Sequence, residues 1–100
     1  MKRKTIPVLG VKYSLTETSK EKDSRLALGI DGYCDTSIKS CVVDAMISDD
    51  PACKQNLPEY KKQVIRHELI HAFLHESGLD GESWAANEEL VDWIAIQFPK

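Results

Sequence analysis

Hydrophobic and polar positions change period midway along the chain. Ile6 and Val8 precede a Leu9-Gly10 turn, and Val11, Tyr13 and Leu15 follow it, so alternate positions are apolar on both sides. A period of two predicts a β-hairpin. The stretch from Thr16 to Arg25 holds no apolar residue and reads as an exposed loop, with room for a frayed strand end. A second hairpin is predicted from about Leu26 to Ala45. Leu28, Ile30 and Tyr33 lead into a turn at Asp35-Thr36-Ser37, and Ile38, Cys41, Val42 and Val43 return from it. Ser48-Asp49-Asp50-Pro51 then breaks the chain.

From residue 57 the pattern becomes helical. Asn56 offers a cap, Pro58 suits the first turn, and Glu59 completes a capping-box spacing. This first helix is predicted to run to about Ser77 and stop at Gly78, which tolerates a positive φ. A second helix follows the Asp80-Gly81-Glu82-Ser83 turn, from about Trp84 to Phe98, where Pro99 ends it. Strands first and helices afterwards predict an α+β fold: a small, mostly antiparallel sheet from the N-terminal half, with helices packed on one face.

Size and composition narrow the reading. One hundred residues, 42% hydrophobic and 29% charged, make one globular domain spanning residues 1–100, with a modest core that a metal would help to stabilise. Thirteen basic against sixteen acidic residues leave a net charge of −3, which argues against nucleic acid as a partner. No apolar run is long enough to span a membrane or to form a signal peptide, so a cytoplasmic protein with no membrane partner is expected. Cys34, Cys41 and Cys53 form no CxxC pair; free thiols are expected rather than a disulfide framework or a cysteine zinc cluster.

The chemistry concentrates in His67-Glu68-Leu69-Ile70-His71-Ala72-Phe73-Leu74-His75, which holds all three histidines. His67 and His71 are four residues apart, so on a helix they share one face and converge on one ion. Glu68, about 100° around the helix from His67, borders that ion without having to ligate it, the position of a general base. A solvated His/Glu stripe would give the same letters. Ile65, Leu69, Ile70, Ala72, Phe73 and Leu74 argue against it, because they make the helix apolar over most of its circumference and buried imidazoles need partners. Zinc keeps a position open for water when three protein groups hold it. Asn87-Glu88-Glu89-Leu90-Val91-Asp92 supplies carboxylates. Glu88 and Asp92 share a face, one to ligate and one to hydrogen-bond a ligand histidine. Glu89 shares its face with Ala85, Ala86, Trp93 and Ile96, and periodicity alone does not choose between the two glutamates.

His67-Glu68-x-x-His71 followed by Asn87-Glu88-x-x-x-Asp92 resembles the HExxH plus NExxxD pattern of gluzincin metallopeptidases. The short separation and the wording Arg66 to Leu74, then Glu76-Ser77-Gly78-Leu79, are similar to minimal, ImmA/IrrE-like peptidases of phages and mobile elements. The likeness covers about residues 57–98 and is weaker before them, resting there on Asp31-Gly32-Tyr33-Cys34-Asp35. It implies Zn2+ held by His67, His71 and Glu88, with Asp92 orienting a ligand histidine. It also implies a minimal zincin core whose edge strand lies above the metal. The implied activity is zinc metallopeptidase, of endopeptidase type, in a host cytoplasm. It would hydrolyse a peptide bond of a peptide or regulatory protein substrate through a zinc-bound water, with Glu68 as general base.

The metzincin pattern does not fit, because Leu74 and Ser77 stand where Gly and His are needed. His75 is expected at the rim of the site. Larger gluzincins bring an oxyanion-stabilising Tyr or His from a C-terminal subdomain, for which the twelve residues after Glu88 leave no room. His75, Tyr33 and Tyr60 are the candidates here. Two further readings are a zinc-stabilised adaptor that binds a partner without cutting it and a metal-free binding module. Cys34 or Cys41 as a fourth, latency-imposing ligand is a further variant. Substrate specificity and oligomeric state are not readable.

Overall fold

The protein is described by a computed structural model over residues 2–46, 57–79 and 86–98. The first predicted hairpin is present. β1 (Lys2–Val8) pairs antiparallel with β2 (Val11–Thr18), and Val8 faces Val11 across the turn. Leu9 and Gly10 both have positive φ, 49° and 84°, the combination a two-residue type I′ turn requires. Leucine pays a steric penalty there that asparagine largely avoids. Leu9 is also exposed. Leu9→Asn is therefore expected to raise unfolding stability by about 0.5–1 kcal/mol, read as a higher denaturant midpoint at unchanged slope.

β2 corrects the predicted loop from Thr16 to Arg25. The strand continues to Thr18, and Thr16 and Thr18 are buried although polar. It is an inner strand, with β1 on one side and β4 (Ser40–Asp44) on the other, so both of its edges are covered. The second hairpin is real but shorter than predicted. Leu26–Leu28 forms a 3-10 turn in which Leu26 is buried, while Leu28, Ile30 and Ile38 are exposed. The Asp23 carboxylate accepts from the amides of Arg25 and Leu26 and holds that turn, so local capping displaces the extended backbone expected there. β3 (Gly32–Asp35) pairs antiparallel with β4.

Strand order is β1-β2-β4-β3, with β2 and β4 parallel. The sheet is therefore mixed: the outer pairings are antiparallel and the central one is parallel. Two hairpins joined side by side through their second strands give that arrangement, and the Leu26 turn lies in the connection between them.

α1 (Leu57–Glu76) follows the predicted extent closely. Gly78, at φ 106°, donates to His75 and Leu79 to Leu74, a Schellman closure. Asn56, proposed as its cap, lies outside the described residues. α1 forms the middle of the molecule. Val64 and Ala72 pack with Tyr13, Leu15, Cys41 and Val43 of the sheet, and Ile70 and Leu74 pack with Val91 and Ala95 of α2 (Glu88–Gln97). It is less deeply buried than its composition suggests: Ile65 and Leu69 are half-buried and Phe73 is exposed. α2 starts later than predicted, with Asn87 as its N-cap accepting from Leu90; Trp84 lies outside the described residues.

One close approach sets the distance between sheet and helix. A Cβ on Gly32 would sit 3.0 Å from a Val64 methyl and 3.1 Å from the Val42 carbonyl oxygen. Any larger residue would press on that methyl and that carbonyl, so glycine eases the close approach of β3, an edge strand, to α1.

Candidate metal centre

Each side chain of the site is placed by packing on both sides of α1. His67 and His71 are one turn apart, both half-buried, with their Nε2 atoms 3.2 Å from each other. Val91 and Ala95 are wholly buried against Ile70 and Leu74. That contact sets the rotation of α2 and brings Glu88 and Asp92, on the same side, to the histidines. Glu88 Oε2 lies 2.7 Å from His67 Nε2, and Oε1 lies 3.0 Å from His71 Nε2. Asp92 Oδ1 lies 3.2 Å from the other nitrogen of His67, Nδ1. Glu89, the competing glutamate, is exposed, as are Trp93 and Ile96 on its stripe.

Both ring nitrogens of His67 face carboxylate oxygens, Nδ1 that of Asp92 and Nε2 that of Glu88; in the tautomer whose Nδ1 donates to Asp92, Nε2 carries the lone pair. That lone pair then faces a carboxylate oxygen and a second imidazole nitrogen. Three atoms with lone pairs converge on one point, an arrangement that is repulsive until a cation or a proton occupies it. Ligands at ~2.0–2.1 Å from a tetrahedral ion lie about 3.3 Å apart. The separations of 2.7, 3.0 and 3.2 Å approach that spacing, and two imidazoles with one carboxylate suit zinc. The residues fit the ion.

Glu68 is a further donor beside that point: one carboxylate oxygen and a ring nitrogen from each of His67 and His71 all lie within 4.8 Å of one another, a group that could itself hold a metal ion. Glu68 is buried. Burial pushes its carboxyl up to about 7; Glu88 adds to the rise and His67 opposes it. A cavity of about 590 Å³ opens over Glu68, His71 and Glu88, walled on the far side by Tyr33, Cys34 and Thr36 at the β3 end of the sheet.

Of the oxyanion candidates, exposed His75 and the Tyr33 ring line this cavity, as His75 at the rim requires. The Tyr33 hydroxyl donates to Asp23 at 2.7 Å, and Arg25 stacks on its ring. Burial and that bond push its phenol up to about 12, so it keeps its proton. Tyr60 is not at the cavity, and its hydroxyl donates to Asp31. Neither cysteine belongs to the His67, Glu68 and His71 donor group. Cys41 instead turns its buried thiol toward Cys34 and the Glu68 carbonyl, away from a fourth-ligand role.

Two supporting residues were missed in the sequence. Gln63, one turn before His67, donates to both oxygens of Asp92 at 3.3 and 3.4 Å. Arg66 donates from Nε to the Ala95 carbonyl at 2.7 Å and ties the two helices together. The signal for Gln63 was its spacing of four from His67, which puts it on the histidine face. Asp92→Asn removes the negative charge that orders the His67 ring. It is expected to weaken zinc binding by about 10–100-fold, measured by competition with a chromophoric chelator.

Fold and site together define a small α+β protein with two histidines and a glutamate converging between its helices. No model of a known protein family matches the chain, and neither does any curated protein or solved structure with which it was compared. Among the described residues, no helix is long and apolar enough to cross a membrane.

Proposed function

We propose that the protein is a zinc-dependent metallopeptidase of gluzincin type, built as a minimal zincin core and acting on a peptide or protein substrate in the cytoplasm. The observation that carries this reading is the convergence of His67 Nε2, His71 Nε2 and a Glu88 carboxylate, with buried Glu68 beside them. His67, His71 and Glu88 would hold the ion, and Asp92 would orient His67. Zinc in such a site supplies Lewis-acid chemistry, acidifying water and polarising a carbonyl.

The remaining work falls to this chain's own groups. The Glu68 carboxylate takes a proton from water and returns it to the leaving amine. Its low-polarity surroundings bring its proton affinity near that of a base working at neutral pH. β3 walls the cavity as the edge strand of the sheet, and its backbone suits an extended peptide laid beside it. His75 is the rim group available to steady negative charge on the carbonyl oxygen.

A second reading has a specific observation in its favour. The hydroxyls of Tyr33 and Tyr60 are both committed to aspartates, which leaves transition-state stabilisation to His75 alone among the three candidates. A zinc-stabilised adaptor that binds a protein partner without cutting it needs no such group.

Zinc stoichiometry by native mass spectrometry tests the shared premise. One zinc per chain is expected, and loss of thermal stability on adding a strong chelator should accompany its removal. A chain that takes up no zinc would end both readings and leave the metal-free binding module.

A further inference from the structure

Behind Glu68 lies a second reactive group that the proposed hydrolysis does not use. Cys34 and Cys41 face each other directly across β3 and β4. Their sulfurs are 3.4 Å apart. The ladder fixes which kind of pair this is. The Asp44 amide donates to the Asp31 carbonyl at 2.8 Å, making Asp31 and Asp44 a hydrogen-bonded pair. Pairs alternate along an antiparallel ladder, so Cys34 and Cys41, three steps on, are a non-hydrogen-bonded pair. Such partners have Cα atoms about 4.5 Å apart and the closer side chains. That separation falls within the ~4.4–6.8 Å a disulfide spans. No backbone movement is needed to join these two sulfurs, only a turn of the side chains.

The two thiols differ in access. Cys41 is wholly buried, and the neighbouring Cys34 sulfur, then burial, push its thiol far above the ordinary range. Cys34 is half-buried and lines the cavity. An oxidant entering that cavity meets Cys34 first and finds Cys41 directly behind it.

We propose that Cys34 and Cys41 are a redox pair that closes to a reversible disulfide, with Cys34 as the thiol that meets a peroxide and Cys41 as the one that resolves it. Hydrogen peroxide oxidises the Cys34 sulfur by two electrons: an S–O bond forms, the O–O bond breaks, and the thiol proton leaves with the other oxygen as water, giving a sulfenic acid. The Cys41 sulfur then attacks the Cys34 sulfur. The S–S bond forms, the S–O bond breaks, and the departing hydroxide takes the Cys41 proton as a second water. Two thiols and one peroxide thus yield one disulfide and two waters, and an added dithiol reverses the change. This pairing does not depend on the zinc reading. Closing it removes the Cys41 S–H from the Glu68 carbonyl and cross-links the cavity wall at β3 to its neighbour.

The test is oxidation of the folded full chain by a small excess of hydrogen peroxide, with a chelator present to suppress metal-catalysed oxidation. Thiols counted afterwards in denaturant should fall from three to one. Cleavage before Asp31, Asp35 and Asp44 separates Cys34, Cys41 and Cys53 onto different fragments. The fragment 31–34 should be found joined to the one containing Cys41, and a dithiol should release them. In Cys34→Ser, Cys41 should stay reduced under the same treatment, which shows that attack begins at Cys34. Three surviving thiols would overturn the proposal. So would Cys34 driven to sulfinic acid with Cys41 still free, or Cys34 joined to Cys53.

Discussion

Glu68→Gln is expected to keep one zinc per chain and to lower peptide hydrolysis by about 10²–10⁴-fold, the usual contribution of a positioned general base. Glutamine has nearly the same shape and still fills the buried site, but it cannot take a proton from water. The proposed ligands His67, His71 and Glu88, whose donor atoms lie 2.7–3.2 Å from one another, are left unchanged. Native mass spectrometry gives the zinc content and a fluorogenic peptide library gives the rate. Hydrolysis retained at the wild-type rate, with zinc bound, would sink the base assignment. The absence of hydrolysis in the wild type as well would favour the adaptor.

The same substitution carries a stability signature of opposite sign. Burial raises the Glu68 carboxyl from 4.5 to about 7 in the folded chain. Between those values the folded state binds more protons than the unfolded one, so stability falls as pH rises, and above about 7 the full penalty remains. With zinc chelated at pH 8, Glu68→Gln should therefore be more stable than the wild type, by on the order of 1–3 kcal/mol. The difference should vanish below about pH 4.5. Denaturant unfolding at the two pH values reads it directly. A gain in stability together with a loss of turnover is the pattern expected of a group held in an unfavourable environment for its chemistry.

Glu88→Ala is expected to weaken zinc binding by more than ~100-fold, beyond the range for groups that only orient a ligand, while Glu89→Ala leaves it unchanged. The contrast tests the rotation of α2. Both glutamates are exposed, but Glu88 puts one oxygen on each histidine, whereas Glu89 lies on the stripe that carries Trp93 and Ile96 outward. Equal losses in both variants, or a loss only in Glu89→Ala, would mean that the helix presents a different face. Circular dichroism of each variant separates a lost ligand from a lost fold.

The readings that succeeded from sequence alone concern short chain distances. The Leu9-Gly10 hairpin, the extent of α1 and its Gly78 stop all depend on residues within one turn or one strand pair. The loop expected over Thr16 to Arg25 failed because threonine is polar by composition yet β-branched, and an inner strand accepts it. Helix α2 was placed too early because the apolar Trp84, Ala85 and Ala86 extend its periodic pattern, while the cap is made by Asn87.

Spacing along one helix determined that His67 and His71 share a face with Glu68 beside it, since an α-helix fixes residues one and four apart wherever it packs. The tertiary structure decided everything that crosses between elements. It paired β2 with β4 in parallel, buried Glu68, set Cys34 opposite Cys41 across a ladder, and put Glu88 rather than Glu89 against the histidines. The reason is that α2 is amphipathic enough for either glutamate to face inward by pattern. Its rotation was set only when Val91 and Ala95 buried themselves against Ile70 and Leu74, a contact whose residues lie about twenty positions apart in the chain.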